Sequence, residues 1–553
     1  MLRVRWLGRV AYRDAHALQH GLFERSSDDH LLLLEHPHVY TLGARADRSH
    51  VLVDPATVGA ELVDADRGGD VTYHGPGQLV GYPIVSVPGV RGGGMADTVA
   101  YVTSVEQLLI DTLTDLGFAD VGRLPGYPGI WFGPDSDRPR KVAAIGVRLS
   151  RGRSMHGFAL NINPDMAMFD HIVPCGLDAM EVTSLAEEGF DGELRDVVEA
   201  LVPRAVERWG SSGWERADVV WRERPEDLTP FSRGAGSGPP ETSVRLSGRL
   251  AEAGVTDRVA IDERKPDWMR VQLRTSPDYL RLKSTMRELD LVTVCEEAGC
   301  PNIYECWDDG TATFMINGER CTRACGFCLV DTRKPAPPDP SEPEHVAEAV
   351  ERMGLDYVVL TTVARDDLDD GGAGQFAATI GAIRSRRPEA IVEVLISDLK
   401  GDPASLQIVL DARPDVVNHN VETVPRLQRV ARPSASYARS LAVLARAKAA
   451  GFTTKSGLVL GMGETFDEVV ATLADLAAVG VDIVTAGQYL RPTANHLPVA
   501  RWWTPDEFDA LAVEGERLGI AHVEATPLTR SSHHAKAAAA SAGLSVEAHL
   551  AEA

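Results

Sequence analysis

At 553 residues the chain is too long for one ordinary hydrophobic core, so two or more domains are expected. Hydrophobic residues make up 44% and charged residues 25%, the balance of a soluble globular protein, and no apolar run is long enough to cross a bilayer. Acidic residues outnumber basic ones by 80 to 56, and the net charge of −24 argues against nucleic acid as the main partner.

The first ten residues, MLRVRWLGRV, alternate apolar and polar side chains and lack the apolar core and cleavage site of an export signal, which predicts a cytoplasmic protein with no membrane partner. Seven cysteines in such a chain point to metal binding or catalysis rather than to disulfides. RGGDVTYHGPGQLVGYP, residues 67–83, sets a Gly pair and a Gly-Pro-Gly around His74. Backbone there approaches something closely on both sides of an imidazole, or the segment is a tight turn with an incidental histidine. Residues 141–149, KVAAIGVRL, read as a buried strand and 155–163 as a second one after the turn residues SRGRS. Paired as a hairpin, they bring Asn161 and Asn163 back toward Lys141. Lys141 is then either a snorkelling surface group or the proton-transfer partner of an acyl-accepting cysteine. Around it Arg138, Arg140, Arg148, Arg151 and Arg153 run with no acidic residue between them, as a docking field for an acidic partner or a solvated hairpin. Cys175, in HIVPCGLDAMEVTSL, is inert core or a nucleophile.

Residues 226–241, EDLTPFSRGAGSGPPE, have too few apolar side chains to pack and read as a linker, ahead of which Cys175 is the only cysteine. The chain is accordingly divided into 1–220, a linker over 221–260, and 261–553. Cys295, Cys300 and Cys306 are spaced C-x4-C-x5-C, which a second cluster, a zinc site or three buried cysteines would all satisfy. Cys321, Cys325 and Cys328 are spaced C-x3-C-x2-C, a compact loop able to hold three irons of a cubane cluster and leave one open. An open iron can chelate S-adenosylmethionine, and an electron passed to the sulfonium releases a 5′-deoxyadenosyl radical. A structural zinc would prefer four ligands. Downstream, β-rich runs at 357–360, 391–396, 456–460 and 482–485 alternate with helical stretches at 375–384, 436–450 and 466–478. This predicts parallel strands with outer helices and reactive groups at the strand C-termini, where the loops 365–372 and 418–422 begin. Gly371 and Gly372 would let backbone amides approach the methionine end of S-adenosylmethionine, unless they form a plain turn. Glu422 and Lys455 are cofactor or substrate contacts, or solvated charges on the barrel rim.

CEEAGCPNIYECW, CTRACGFC, RDDLDDGGA, NHNVETVPRL, KSGLVLGMGE and GQYLRPTANHLPV resemble the motifs of the lipoyl synthase family, from about Lys265 to the C-terminus. The resemblance implies a C-terminal radical SAM partial (β/α) barrel with two [4Fe-4S] clusters. One, on Cys321, Cys325 and Cys328, binds S-adenosylmethionine. The other, on Cys295, Cys300 and Cys306, is the sulfur source, with Ser532 of Arg530-Ser531-Ser532 as its fourth ligand. His533 stands where that family has tyrosine. RGGDVTYHGPGQ, KVAAIGV, HGFALNIN and PCGLDAMEVTSL resemble the lipoyl(octanoyl) transferase family over roughly residues 7–214. That resemblance implies an N-terminal α/β acyltransferase domain of the biotin/lipoate ligase fold, in which Cys175 carries the octanoyl chain and Lys141 is its acid/base partner. Arg67, Gly68, Gly69, His74, Ala144, Ile145, Gly146, His156, Gly157 and Phe158 would line the substrate pocket.

Together the two resemblances imply consecutive steps. Octanoyl passes from acyl carrier protein through Cys175 to a lysine of a lipoyl domain, and two sulfurs are then inserted at C6 and C8. The implied partners are octanoyl-acyl carrier protein, the lipoyl domains of 2-oxoacid dehydrogenase complexes, the glycine cleavage H protein, and a reductant such as ferredoxin or flavodoxin. Two other readings compete: an N-terminal half that only docks the acyl carrier, and a C-terminal half that is a redox sensor or structural cluster protein. Cys175 together with Lys141 argues against the first, and the open-iron triplet beside a second triplet against the other.

Overall fold

The computed structural model describes residues 1–87, 89, 97–173, 181–221, 248–270, 284, 286–289, 291, 302, 303, 306 and 311–544. Cys175, Cys295, Cys300 and the Pro/Gly/Ser-rich stretch 226–241 therefore lie outside the described residues. Two compact units divide the chain, Met1–Trp221 and Arg222–Ala553. Among the described residues no helix is long and apolar enough to cross a membrane.

The first unit is built on a mixed sheet. In chain order its elements are β1 (Leu2–Arg9), α1 (Tyr12–Arg25), β2 (Asp29–Glu35), β3 (Val39–Leu42), β4 (Glu61–Asp64), β5 (Val71–His74), β6 (Gln78–Ile84) and α2 (Thr98–Asp115). There follow β7 (Val121–Leu124), β8 (Tyr127–Phe132), β9 (Arg140–Ser150), β10 (Arg153–Asn161), β11 (Glu181–Val182), α3 (Leu194–Trp209) and β12 (Trp214–Asp218). The large sheet runs β12-β1-β2-β6-β10-β9-β8-β7 with β11 beside β9, and β4-β3-β5 form a small second sheet. β2 carries four consecutive buried leucines, the continuous apolar run expected of a strand covered on both faces. Leu31 and Leu33 share a core with Leu108 and Leu109 of α2 and Val198 and Leu201 of α3. The Asp97 carboxylate accepts the Ala100 N–H and starts α2.

The hairpin expected around SRGRS is β9–β10, in antiparallel register from Arg153 opposite Ser150 to Leu160 opposite Ala143. Asn161 shares a small cavity with Lys141, as the hairpin implied. Asn163 does not join them. It lies past the end of β10, where its N–H donates to the Gly77 carbonyl at 3.0 Å.

The second unit carries β13 (Thr311–Ile316), α4 (Glu342–Met353), β14 (Tyr357–Thr362), α5 (Ala373–Arg386), β15 (Ile391–Leu395), α6 (Pro403–Asp411) and β16 (Val416–Asn418). It continues with α7 (Gln428–Ala431), α8 (Tyr437–Ala449), β17 (Thr453–Leu460), α9 (Phe466–Ala478), β18 (Ile483–Gln488), α10 (Pro505–Arg517), β19 (His522–Ala525) and α11 (Ala535–Ser541). The seven strands pair in chain order and all in parallel, the pattern produced when a helix returns the chain after each strand. β13 and β19 do not pair, so the sheet forms an open, partial barrel. Capping boxes at Thr465–Glu468 and Thr504–Glu507 fix the starts of α9 and α10. The core joins Phe314, Leu360 and Val394 of the strands to Val346, Phe376 and Ile380 of the helices.

Candidate active sites

In the first unit Arg67, Gly68, Gly69, His74, Ala144, Ile145, Gly146, His156, Gly157 and Phe158 line one cavity, and Lys141 lines it with them. Three strands and one turn bring them together: β5 ends at His74, β9 supplies 141–146, β10 supplies 156–158, and the turn 65–70 lies across them. The glycines are needed for close approach. A Cβ on Gly157 would fall 2.2 Å from the Gly81 carbonyl oxygen, and one on Gly146 would fall 3.1 Å from both the Arg67 Cδ and the Gly68 carbonyl oxygen.

Arg67 is buried and braces the turn, donating to the Thr41 carbonyl at 2.7 Å, the Thr41 hydroxyl at 2.8 Å and the Asp70 carbonyl at 2.9 Å. His74 donates through Nδ1 to Gln78 Oε1 at 2.7 Å. Burial, reinforced by the charges of His36 and Arg67, holds its imidazole well below the usual range, so the ring is neutral. Lys141 has its ammonium 5.4 Å from the centre of the Trp131 ring, a cation–π arrangement. Val182 of β11 is its register partner, so the chain that contains Cys175 re-enters the described residues beside Lys141.

The arginine run meets carboxylates from elsewhere in the first unit. It has no acidic residue in sequence, yet the fold pairs it: Arg138 with Glu181, Arg140 with Glu188, Arg148 with Asp66 and Arg151 with Glu24. Arg153 donates to the carbonyls of Ser26, Asp28 and Ile84. A run whose charges are matched by neighbours from α1, the turn 65–70 and the β11 region projects little long-range field.

In the second unit Cys321, Cys325 and Cys328 line a single cavity of about 240 Å³ at the C-terminal strand ends. Its walls are Met315 of β13, Thr361–Ala364 at and just past the end of β14, Leu395–Ser397 at and just past the end of β15, and His419, Asn420 and Glu422 after β16. The Cys321 sulfur accepts the N–H groups of Arg323 at 3.4 Å and Ala364 at 3.3 Å. Arg323 is buried, its guanidinium bridging Asp366 at 2.7 Å and Asp398 at 2.6 Å. His496 donates to the Cys328 carbonyl at 2.9 Å. A Cβ on Gly326 would fall 2.6 Å from Leu497, so the loop closes on the NHLPV segment. Burial pushes the Cys321 and Cys325 thiols up, Cys325 to about 11. Three half-buried cysteines on one short loop, with the N–H groups of Arg323 and Ala364 already turned toward the Cys321 sulfur, fit a cluster that takes them as thiolates.

Glu422 lines this cavity at φ 65, a left-handed conformation uncommon outside glycine, and burial raises its carboxyl. Lys455 does not sit on the rim. It is fully buried 3.1 Å from Glu393, which also accepts from Tyr357 at 2.7 Å and Asn418 at 2.8 Å, so opposite charge and hydrogen bonds hold it inside the barrel. Gly371 and Gly372 do not line the cavity. Gly372 caps α5 at φ 90, where a Cβ would fall 2.7 Å from the Asn317 amide, so the pair serves a turn. Asn420 donates to the Ser531 hydroxyl at 2.7 Å, which brings Arg530-Ser531-Ser532 to the cavity's edge. Asn302, between Cys300 and Cys306, donates to the Leu528 carbonyl at 2.7 Å, and Cys306 packs against the barrel core.

Sequence reasoning missed Asp66, Asp366, Asp398 and His496. Each acts through a partner distant in sequence and leaves no local pattern. His16 and His20 did carry one, being four residues apart on a helix.

Residues 11–205 match the lipoyl protein ligase A/B catalytic domain, 247–300 the N-terminal domain of lipoyl synthase, and 315–476 the radical SAM superfamily. The lipoyl synthase of Kineococcus radiotolerans is 53% identical over 292 residues, covering 53% of this chain and 86% of its own. That of Rubrobacter xylanophilus is 55% identical over 273 residues, covering 49% and 85%. A putative lipoate protein ligase from T. acidophilum overlaps 40% of this chain and 90% of its own at 17% identity, with a TM-score of 0.32. The chain belongs to the lipoyl synthase family, with a lipoyl protein ligase A/B catalytic domain ahead of its radical SAM half.

Proposed function

We propose that the chain makes the lipoyl group in two steps, an octanoyl transfer on residues 1–220 and a sulfur insertion on residues 261–553. The observation that carries the first step is that Lys141 opens onto the same cavity as all ten candidate pocket residues. Lys141 takes the proton of the Cys175 thiol, the thiolate attacks the octanoyl thioester of acyl carrier protein, and Lys141 returns the proton to the departing carrier thiolate. The carrier-domain lysine then attacks the Cys175 thioester as a neutral amine, Lys141 takes up its proton, and a stable amide replaces an activated acyl group. Neutral His74 and the Arg67-braced turn shape the wall along the acyl chain.

For the second step, Cys321, Cys325 and Cys328 would hold one [4Fe-4S] cluster, and Cys295, Cys300, Cys306 and Ser532 another. With S-adenosylmethionine bound and an electron supplied, the first would provide the radical chemistry needed at the unactivated C6 and C8 positions, which no general base can deprotonate. Arg323 and His496 fix the Cys321–Cys328 loop, and Glu422 and Asn420 face the cavity it encloses. A reductant of the ferredoxin or flavodoxin class supplies electrons. Lipoyl domains and the glycine cleavage H protein are the acceptors.

The test is anaerobic incubation of reconstituted protein with octanoyl-acyl carrier protein, an apo lipoyl domain, S-adenosylmethionine and reductant, without ATP, followed by mass analysis of the lipoyl domain. Octanoyl and then lipoyl masses are expected. The Cys175→Ser protein should leave the apo domain unmodified yet convert a pre-octanoylated one, because a hydroxyl is far less ionised and a poorer leaving group. Normal octanoylation by that variant would remove Cys175 from the mechanism.

A further inference from the structure

Behind the acyl cavity, three imidazoles converge on one carboxylate. His16 and His20 stand one turn apart on α1, Asp66 lies in the turn after β4, and His156 belongs to β10. Asp66 Oδ1 is 3.0 Å from His16 Nε2 and 2.6 Å from His156 Nε2, and Asp66 Oδ2 is 3.3 Å from His20 Nε2. The ligand atoms of His16, Asp66 and His156 all lie within 4.8 Å of one another. His156 is buried and held at φ 58 within a strand, a left-handed conformation that turns its ring onto Asp66.

Hydrogen bonding alone serves this cluster poorly. For His16 and His20 both to donate to Asp66, both Nε2 atoms must carry a hydrogen, yet these atoms face each other at 3.2 Å. The buried His156 Nδ1 has no hydrogen-bond partner among the described residues, so only Asp66 bears on the ring's tautomer, and no acceptor is lost from Nδ1 when an ion at Asp66 takes the Nε2 lone pair. One cation accepting lone pairs from all the Nε2 atoms removes the conflict. Tetrahedral ligands with bonds of roughly 2.0–2.2 Å stand ~3.3 Å apart, close to the 3.2 Å His16–His20 separation, whereas the Asp66 Oδ1 contacts to His16 at 3.0 Å and His156 at 2.6 Å would have to open to admit the ion. Arg148 pairs with Asp66 Oδ2, which leaves Oδ1 for a metal and supplies the outer hydrogen bond that ligating carboxylates commonly receive.

We propose that His16, Asp66 and His156, with His20 as the fourth donor on the solvent side, bind a divalent transition-metal ion of the zinc class. Imidazoles dominate the donor set, which disfavours magnesium and calcium, and the absence of a thiolate in it disfavours copper(I). The ion ties together α1, the turn 65–70 and β10, which carry Tyr12, Arg67 and Phe158 of the acyl cavity.

The experiment uses full-length protein with its clusters reconstituted, stripped of loose metal by chelation and gel filtration, then titrated with zinc sulfate. Cysteines also take zinc, so wild type is compared with Asp66→Asn, His16→Ala and His20→Ala. Wild type should bind one more equivalent than Asp66→Asn or His16→Ala, and its melting transition should rise with zinc while theirs does not. Loss of a direct ligand should weaken binding by at least the ~10–100-fold that loss of an outer partner costs. His20→Ala, on the half-exposed face of α1, keeps the test decisive if Asp66→Asn fails to fold, and should also weaken the extra equivalent. Equal zinc uptake and equal melting shifts in wild type and every folded variant would overturn the site.

Discussion

A Cβ at Gly129 would fall 2.4 Å from the Ala143 carbonyl oxygen and 2.7 Å from the Lys141 Cε, so the stem of that lysine occupies space a side chain would take. Gly129 also sits at φ 131, which favours glycine. Gly129→Ala should therefore displace the ammonium and lower kcat for octanoyl transfer roughly 10–100-fold, the scale set by a 1 Å misplacement, while conversion of a pre-octanoylated domain is unchanged. A single-turnover assay of acyl transfer checks it. A second residue-level consequence concerns pH. His36 is buried, donating through Nδ1 to the Val10 carbonyl at 2.7 Å with Nε2 2.7 Å from the Tyr82 hydroxyl. Burial lowers its imidazole from 6.5 to about 4. The neutral ring contributes its full stability above 6.5. As pH falls from there toward 4 the unfolded chain takes up a proton that the native ring refuses, and stability is lost. At 1.36 kcal/mol per unit the loss is about 3 kcal/mol. Melting of the first unit should fall over this window, and His36→Gln should flatten the fall. Lys141 and the glycines around His74 were legible because chemistry and backbone freedom are local properties. His36 and Asp66 were not, since their roles depend on who packs against them.

The loop from Cys321 to Cys328 is an element made rigid from outside itself. Arg323 is the only one of its side chains to reach Asp398, which is fully buried. Against the burial that would raise it, Arg323 holds the Asp398 carboxyl down to about 2. Asp398→Asn should leave a buried guanidinium short of one counter-charge, at a cost on the order of 3 kcal/mol, and loosen the loop. Cleavage of S-adenosylmethionine should fall with the iron held on this triplet, whereas iron on the other triplet is retained. Mössbauer or EPR spectroscopy beside an assay of 5′-deoxyadenosine separates the two. Replacing Cys321, Cys325 and Cys328 by alanine should abolish cleavage altogether and leave one cluster, and replacing Cys295, Cys300 and Cys306 should spare cleavage and abolish sulfur insertion. Residual 5′-deoxyadenosine from the first of these variants would reverse the assignment. At this scale β14, β15, β17 and β18 were readable, since each is a short, largely apolar run between helical stretches. β16, three residues long, and β19, four, are too short to establish a period, and β13 follows directly on the cysteine-rich stretch.

Over the whole molecule, the −24 charge and the arginine run suggested either a local positive field for an acidic carrier or a solvated hairpin, and the fold sets carboxylates of the same unit against four of those arginines, largely at the surface. Sequence alone cannot show this, because Glu24, Asp66, Glu181 and Glu188 lie far from the run along the chain. Under the proposed function the two units would share the carrier. The product of the first step would be an octanoyl amide on a separate polypeptide, stable enough to leave one site before reaching the other. A mixture of the Cys175→Ser protein with the Cys321→Ala protein should therefore convert an apo lipoyl domain to the lipoyl form, each variant supplying the step the other lacks. Joining both units in one chain raises the effective concentration of the second site around a carrier just released from the first, on the order of mM for short connections. Wild type should accordingly outpace the mixture at dilute enzyme, and the gap should narrow as total enzyme rises while octanoylated carrier accumulates in solution. Mass analysis of the carrier over time, at several enzyme concentrations, measures both. A mixture that forms octanoyl carrier but no lipoyl carrier at any concentration would mean that the substrate passes only between the two sites of one chain.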